Sequence, residues 1–243
     1  MTDPLVVLFE DAHLVAVAKP AGVLTQGIAS GEPTLEDLVR KHLASGEAGS
    51  VYVGTVHRLD RLVSGVVLWA KTPKAARRLS TGFAGRKVVK EYWAIVESHA
   101  APQGQGKVGV WDDWLAGSTD ASGVVRVLKP GEAGARRAIT RFARAHSTEP
   151  LARIPEAGAW LRLWPETGRT HQLRVQAGLH GVPVWGDVRY GSTRPFEGGI
   201  ALHSRSLTFE HPALRRPVTV TAPAPASWAE QGIELPNPPA IEC

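Results

Sequence analysis

Three short segments of this 243-residue chain carry side chains whose types and order suit catalysis. The first is His57-Arg58-Leu59-Asp60, in which the carboxylate of Asp60 is followed directly by Arg61. Neighbouring cations keep a carboxylate ionised, and an ionised carboxylate can act as a nucleophile or as a general base. Taken alone, these residues are equally consistent with an ion pair on the surface.

The second and third segments supply an aromatic hydroxyl and two arginines. Residues 90–94 (KEYWA) are predicted to lie in a strand that presents Tyr92, although a tyrosine in the hydrophobic core fits the same pattern. Residues 167–174 (TGRTHQLR) lead from a predicted strand into a helix and contain Arg169 and Arg174. Because helix N-termini favour anions, this segment is suited to holding a phosphate or a buried carboxylate.

Periodicity and capping residues predict the elements that must position these segments. A valine-rich apolar pattern predicts a hairpin over residues 5–18, and the KPAG sequence at 19–22 then forces a turn. Thr34, followed by Asp37, predicts the start of one helix, and Thr72-Pro73 predicts the start of another. Further strands are predicted over residues 66–70, 88–96, 137–145, 159–164, 201–209 and 218–222.

Three regions have weaker patterns. Residues 97–135 are rich in glycine and polar residues, which predicts short strands and loops. Thr170 is predicted to cap a helix that runs to about Leu179. The proline-rich tail from Pro223 onwards is predicted to pack loosely.

Composition bounds the class of protein. Apolar residues make up 43% of the chain, which excludes a disordered protein. Many strands with a few interspersed helices predict a single α+β domain over residues 1–243, whose core lies within about 5–222 and is followed by the tail at 223–243.

The charge is concentrated in two segments. The net charge is +5, but residues 71–90 carry +7, residues 121–146 carry +5, and the remainder of the chain is acidic. Clustered Lys and Arg are typical of nucleic-acid-binding proteins, although a solvated helix face fits the first segment too. The predicted helix after Pro73 carries Lys74, Arg77 and Arg78 on its surface.

Several classes of protein are excluded or disfavoured by what the sequence lacks. The single cysteine, Cys243, excludes a disulfide framework and a Cys-rich metal site, and no segment has the roughly 18 consecutive apolar residues of a membrane span. We therefore expect a cytoplasmic protein. P-loop, Rossmann glycine, HExxH and GxSxG motifs are absent from the sequence. A metal-dependent hydrolase would have to use His171, His180 and His203, which lack the spacing of two ligands one helical turn apart.

Taken together, the motifs resemble those of the RluA-type RNA pseudouridine synthases in order and spacing. They are VAVAKPAGVL (15–24), HRLDxxxSGxxxxAK (57–71), KxYxA (90–94), GRTHQLR (168–174), GxPxxGDxxYG (181–191) and ALHxxxLxFxHP (201–212). The resemblance covers about residues 5–222 and is far more specific than any one of its blocks.

The resemblance implies a mixed, mostly antiparallel sheet with flanking helices and loops around a central basic cleft. It implies isomerisation of specific uridines in structured RNA (tRNA or rRNA) to pseudouridine, with neither cofactor nor metal. Asp60 matches the catalytic aspartate, Tyr92 the tyrosine that packs on the target base, and Arg174 the arginine that pairs with the aspartate. Arg58 matches an arginine near the RNA backbone and the flipped base, and the positions that shape the cleft are His57, Leu59, Arg169 and His171.

These roles agree with what the implied reaction demands. The N1–C1′ bond must break and a C5–C1′ bond must form while the freed uracil is retained, which an enclosed site achieves through proximity. The base must first be extruded from its stack at a cost of a few kcal/mol. Stacking on Tyr92 and phosphate contacts offset that cost. The predicted phosphate contacts come from the basic segments and include Lys71, Lys74, Arg77 and Arg78.

Two departures from the family pattern concern the identity of the substrate. Val63 stands where the family usually has Thr, and residues 135–140 (ARRAIT) stand where it usually has GKxAxT. Because the pattern starts within the first ten residues, we expect no N-terminal S4 RNA-binding module. The catalytic domain itself is then expected to recognise the RNA, as a monomer, with a short stem-loop as the favoured substrate. The alternative is an RNA-binding protein of the same fold without catalytic activity, against which Asp60, Tyr92 and Arg174 argue together.

Overall fold

Eleven strands and four α-helices are formed by the residues that the computed structural model describes, namely 5–27, 31–44, 51–97, 108–145, 152–156 and 158–236. In chain order they are β1 (Val6–Glu10), β2 (Leu14–Lys19), α1 (Leu35–Ala44), β3 (Gly54–Thr55), β4 (Ser64–Ala70), α2 (Pro73–Ala84), β5 (Val89–Glu97), β6 (Val108–Thr119), β7 (Val125–Val127), β8 (Ala135–Arg144), β9 (Gly158–Pro165), α3 (Gln172–Leu179), β10 (Leu202–Glu210), β11 (Pro217–Thr221) and α4 (Ala226–Glu230).

These elements divide into two units. The described part of unit 1 falls within residues 1–90 and 204–225, and that of unit 2 falls within 91–203 and 226–237. All strand pairings with a defined register are antiparallel, so the prediction of a mostly antiparallel α+β fold is confirmed. The prediction of a single catalytic domain over the whole chain stays a prediction.

In unit 1 the strands lie in the order β1-β2-β4-β10-β11, with β3 also paired to β4. The predicted hairpin is confirmed, with Val6 opposite Ala18 and Glu10 opposite Val15. The core packs α2 against the sheet through Leu79, alongside Leu68 and Phe209, all at most 2% exposed. This burial explains the apolar runs of β2 and β4.

Both predicted helix starts in unit 1 are confirmed by their hydrogen bonds. At α1 the backbone N and Oγ1 of Thr34 donate to Oδ2 of Asp37, at 2.9 and 2.8 Å, and the Asp37 amide donates back to Oγ1 at 3.3 Å. This is a capping box. At α2 the Thr72 side chain accepts from the Ala75 amide at 3.2 Å, and Pro73 occupies the first helical position.

In unit 2 the strands lie in the order β5-β9-β8-β6-β7, and α3 packs on one face of this sheet. Val175 of α3 contacts Leu115 and Ala138, and Gln176 accepts a hydrogen bond from Thr140 Oγ1 at 2.6 Å. We call this side the helix face. Side chains alternate along each strand, so the next residues on the same strands point to the opposite side. Along most of β5 that side is buried, but on β6, most of β8 and the end of β9 its side chains are exposed or half-buried, and we call this part the open face.

Three predictions from weak patterns were wrong. Within 97–135, residues 108–119 form one long strand, β6, which pairs with β8 from Val108 to Ala116. The N-cap of α3 is His171 rather than Thr170, in a left-handed conformation and without a side-chain capping bond. The tail after Pro223 is not loosely packed throughout, because it forms α4, whose Trp228 is 1% exposed. Residues 98–107 and 237–243 lie outside the described residues.

None of the helices in the described part of the chain is both long enough and apolar enough to cross a membrane.

Candidate active site

Asp60 lies in unit 1, in the loop between β3 and β4. The loop turns at Arg61, and the Asp60 carbonyl accepts the Val63 amide at 3.1 Å. Asp60 is partly exposed, Arg58 is exposed and Leu59 is buried. The loop therefore presents charged side chains around an apolar anchor.

The residues on either side of Asp60 are held by the turn that follows β2. Thr25 Oγ1 donates to the Leu59 carbonyl at 2.7 Å and accepts the Leu59 amide at 3.2 Å. Nε of Arg61 donates to the Gly22 carbonyl at 2.8 Å, and the Gly22 amide donates to the Arg61 carbonyl at 2.8 Å. Because both neighbours of Asp60 are tied to the same turn, its backbone position is fixed.

Lys19 completes this clamp from inside. It is 1% exposed, and its Nζ donates to the carbonyls of Pro20, Val23 and Arg61 at 2.9, 2.6 and 2.9 Å. Burial lowers the pKa of Lys19 to about 7, the negative charge of Asp60 opposes that shift, and Arg61 adds to it. Sequence analysis missed Lys19 and Thr25 as site residues, although Lys19 belongs to the VAVAKPAGVL block and Thr25 directly follows it.

His57 has a structural role at the start of the same loop. Its Nε2 accepts the Leu68 amide at 3.0 Å, and its ring stacks on Phe83 with centroids 4.8 Å apart. Although some of the residue stays exposed, burial of the ring, with the charge of Lys90 adding to it, lowers the pKa of His57 to about 3. The ring is therefore neutral at physiological pH and joins the loop to β4 and α2.

Gly65, in the SG pair of the HRLDxxxSGxxxxAK block, permits a close approach of two strands. Its φ is +117°, and a Cβ at this position would come within 2.2 Å of the Ser204 carbonyl oxygen in β10. Only glycine fits here without a shift of the backbone. Close packing against β10 therefore explains why glycine stands at this position of the motif, and no catalytic role is needed for Gly65.

In unit 2, Tyr92 lies on β5 and points to the helix face. It is opposite Leu163 of β9, which in turn is opposite Phe142 of β8. Thr140 of β8, two residues from Phe142, contacts Gln176 of α3, so Tyr92 and α3 share one side of the sheet. The structure thus brings Tyr92 and Arg174 of α3 to the same face.

Arg174 is held by a buried ion pair with Asp187. Its Nε and Nη2 donate to Oδ2 and Oδ1 of Asp187 at 2.7 and 2.8 Å, and the two side chains are 3% and 1% exposed. Its guanidinium also lies 5.1 Å from the centroid of the Tyr190 ring. The expected pairing of Arg174 with Asp60 stays a prediction. Asp187 and Tyr190 belong to the GDxxYG block but were not predicted as site residues.

His171 precedes α3 in a left-handed conformation, with φ of +51°. Its Nδ1 is 2.8 Å from the Tyr190 hydroxyl, which also accepts the Val125 amide at 2.9 Å. Non-glycine residues adopt this conformation at a cost, so the surrounding contacts must hold it. The contact with Tyr190 links the start of α3 to the ring that lies against Arg174.

Arg169, which was expected to shape the cleft, makes hydrogen bonds to a neighbouring segment of the backbone and to Gln172. Its Nε donates to the Arg137 carbonyl at 3.0 Å, and its amide donates to Oε1 of Gln172. These bonds fix the segment between β9 and α3. The role of Arg169 towards RNA stays a prediction.

The first basic segment is on α2 and its flanks, as predicted. Lys74, Arg77 and Arg78 are exposed, whereas Lys71 forms an ion pair with Glu10 at 2.8 Å. Arg78 also donates to the Pro212 carbonyl, so it supports the backbone of unit 1 in addition to its charge. Of these residues, Lys74 and Arg77 are therefore the cleaner candidates for phosphate contacts.

The three histidines considered for a metal site have other partners. His171 contacts Tyr190, His180 lies 3.1 Å from Asp113, and His203 packs edge-on against Trp228. Within the described ranges, no three His, Cys, Asp or Glu side chains come together as a metal site.

The comparisons with known proteins agree with the residues just described. The family described as RNA pseudouridylate synthase matches residues 13–178. An uncharacterised RNA pseudouridine synthase of Zymomonas mobilis is 36% identical, over 93% of this chain and 96% of its own. The dual-specificity RNA pseudouridine synthase RluA of Haemophilus influenzae is 29% identical, over 89% and 91%. The solved structure of human RNA pseudouridylate synthase domain containing 4 superimposes with a TM-score of 0.72 at 22% identity, covering 96% and 95%, and shares the fold.

The family match spans the Asp60 loop, β5 with Tyr92 and most of α3 with Arg174, and the Zymomonas enzyme matches along nearly its full length. The resemblance drawn from the sequence motifs is thereby confirmed: the chain belongs to the RluA-type RNA pseudouridine synthases, which are isomerases.

Proposed function

We propose that this protein converts specific uridines in structured tRNA or rRNA to pseudouridine, and that Asp60 is its catalytic residue. The observation that carries the assignment is the fixed position of the Asp60 loop. Thr25, Gly22 and Lys19 hold both neighbours of Asp60. A reacting group must be held in place for proximity to lower a barrier.

The reaction is an isomerisation in which no atom is gained or lost overall. The target base leaves its stack, the N1–C1′ bond breaks, the uracil reorients, and C5 bonds to C1′. The proton on C5 then departs, and N1 takes one up. Tyr92 is proposed to stack on the base and assist proton removal from C5, because it combines an aromatic face with a hydroxyl. Arg174 is proposed to favour the ionised form of the catalytic carboxylate.

Two roles for Asp60 fit this sequence of events. Its carboxylate attacks C1′, or it removes the proton from C2′. RNA carrying deuterium at C2′ separates them, because only proton removal from C2′ gives a primary isotope effect.

The finer proposals concern substrate and setting. We propose a stem-loop in tRNA or rRNA as the target, a monomeric enzyme and a cytoplasmic location. The RNA contacts are proposed to come from Arg58 and from the exposed α2 residues Lys74 and Arg77. RNA affinity at several salt concentrations, with each residue changed in turn, measures these contacts.

The deciding experiment compares Asp60→Ala with Glu210→Gln, which removes an exposed carboxylate of unit 1. Tritium released from C5 of uridine is measured in total RNA purified from cells that lack the gene. Asp60→Ala should bind RNA and release no tritium, while Glu210→Gln should behave as the unmodified protein. Activity retained by Asp60→Ala overturns the assignment of the residue. If the unmodified protein binds RNA but has no activity, the alternative of a non-catalytic RNA-binding protein is correct.

A further inference from the structure

The open face of unit 2 carries an array of arginines and indoles on the opposite side of the sheet from Tyr92. These side chains lie on β6, β8 and β9. The strand register puts them on one side of the sheet, because each is opposite another side chain of the array or next in sequence to a residue on the helix face. The members are Val110, Trp114, Arg137, Arg141, Arg162 and Trp164.

Arg141 occupies the middle of this face. It is opposite Val110 on one side and Trp164 on the other, so one row across three strands reads apolar, basic, aromatic. Arg141 is exposed and has no ion-pair partner in the part of the chain that the structure describes. Val110 is 57% exposed. This row is therefore accessible to a partner.

The carboxylate of Glu91 positions Trp164, the aromatic residue of this row. Oε1 of Glu91 accepts Nε of Arg162 at 2.7 Å and Nε1 of Trp93 at 2.9 Å, and the indole of Trp164 also hydrogen-bonds to Glu91. Burial raises the pKa of Glu91, but these bonds outweigh burial and lower it, so the carboxylate is ionised. The guanidinium of Arg162 lies 5.1 Å from the Trp164 ring centroid. The indole is thus oriented before any ligand arrives.

A second indole lies further along the same face. Trp114 is opposite Arg137, which forms an exposed ion pair with Asp112. Arg137 and Arg141 are separated by four residues of β8, which is roughly 13 Å along a strand. The face therefore repeats the pairing of an arginine with an indole at two positions.

We propose that the open face of unit 2 binds an unpaired stretch of the substrate RNA, outside the site that isomerises the uridine. The proposal rests on the proposed action on RNA. Bases stack on aromatic side chains regardless of sequence, and guanidinium groups contact phosphates, so the alternation of Trp and Arg suits a single strand. Arg162 on Trp164 adds a planar cation beside the stacking surface.

The test measures the affinity of a fluorescein-labelled oligouridylate of about 16 nucleotides by anisotropy at several salt concentrations. Arg141→Ala should weaken binding and reduce the slope of log affinity against log salt by about 0.7 for one lost phosphate contact. Trp164→Leu should weaken binding about tenfold with little change in slope, because it removes stacking. Arg153→Ala is the matched control, since it removes an exposed arginine of the same unit outside the sheet.

Two further measurements separate this proposal from the proposed function. Photo-crosslinking followed by peptide mapping should place the oligouridylate on peptides that contain Trp164. Arg141→Ala should keep its maximal rate of pseudouridine formation and need more RNA to reach it, whereas Asp60→Ala loses the rate and keeps the crosslink. The inference is overturned if Arg141→Ala and Arg153→Ala bind the oligouridylate with equal affinity and equal salt slope, and this result does not depend on the behaviour of Asp60→Ala. Analytical ultracentrifugation gives one more outcome that overturns the inference. If the unmodified protein sediments as a dimer and Arg141→Ala or Trp164→Leu sediments as a monomer, the open face binds a second copy of the chain instead of RNA.

Discussion

The buried pair between Arg174 and Asp187 should make unit 2 unusually sensitive to the loss of one carboxylate. Asp187→Asn keeps the shape of the side chain but removes its charge. It also replaces one acceptor oxygen with an NH₂ group that faces the donating guanidinium. The guanidinium of Arg174, 3% exposed, would then lose its bidentate contact with this carboxylate while it stays buried.

The size of the effect follows from burial. Removing one partner of a buried ion pair costs about 3–5 kcal/mol, because the remaining charge keeps its desolvation penalty. For a protein of this length, each kcal/mol corresponds to about 2–4 °C, so Asp187→Asn should lower the melting temperature by about 6–20 °C.

The chain offers a matched control with the same geometry and different burial. Arg137 and Asp112 also form a bidentate pair, at 2.8 and 2.5 Å, but their side chains are 55% and 40% exposed. Solvent screens such a pair, so Asp112→Asn should leave the melting temperature nearly unchanged. Urea unfolding followed by circular dichroism gives the free energy of unfolding of both variants.

A double variant tests the physical reason. Arg174→Met/Asp187→Leu removes both charges together, so it should recover much of the stability that Asp187→Asn loses. The double variant should lack pseudouridine synthase activity, because Arg174 is absent. Equal effects of Asp187→Asn and Asp112→Asn, or a double variant no more stable than Asp187→Asn, would refute the reasoning from burial.

Three further outcomes follow from single contacts. The folded-state pKa of His57 is lowered to about 3, so the stability that its neutral ring contributes is present above pH 6.5 and is lost as the pH falls towards 3. Between these pH values, the free energy of unfolding of the unmodified protein should fall more steeply than that of His57→Gln. Thr72→Ala should cost about 1 kcal/mol in urea unfolding, and Thr72→Ser should restore most of it. Lys74→Ala should reduce the salt slope of RNA binding by about one unit at unchanged melting temperature, whereas Arg78→Ala should also lower that temperature by losing its bond to Pro212.

Elements with strong local signals could be predicted from the sequence. The Thr34 and Thr72 caps are made by residues three positions apart, so their chemistry can be read within one helical turn. The first hairpin pairs neighbouring apolar runs, and its register needs no distant contact.

Elements that depend on distant partners could not be predicted in this way. The long strand β6 contains glycine and paired aspartates, which disfavour strands locally, yet it pairs along nine residues with β8. The start of α3 lacks a side-chain cap because Gln172 instead accepts the amide of Arg169, and His171 is held by Tyr190. Pairing and packing with distant residues decided both outcomes.

The site residues divide in the same way. The motifs identified Asp60, Tyr92 and Arg174 as candidates because their residue types suit the chemistry. The groups that hold the Asp60 loop and Arg174 are Lys19, Thr25 and Asp187, whose hydrogen bonds span up to 42 residues of sequence. No local pattern distinguishes a buried lysine that binds three carbonyls from one that faces solvent, so only the fold reveals these roles.

The second basic segment shows how the fold changes the meaning of a charge cluster. In sequence, residues 121–146 are one block of +5. In β8, however, adjacent residues point to opposite sides of the sheet, so Arg136 lies on the helix face with Leu115, while Arg137 lies on the open face with Trp114. A single contiguous RNA strand cannot use both faces of the sheet at one position. Two separate sets of contacts are therefore expected from this segment, and charge removal at Arg136 and at Arg141 should have additive effects on RNA affinity, because distant sites without shared partners act independently.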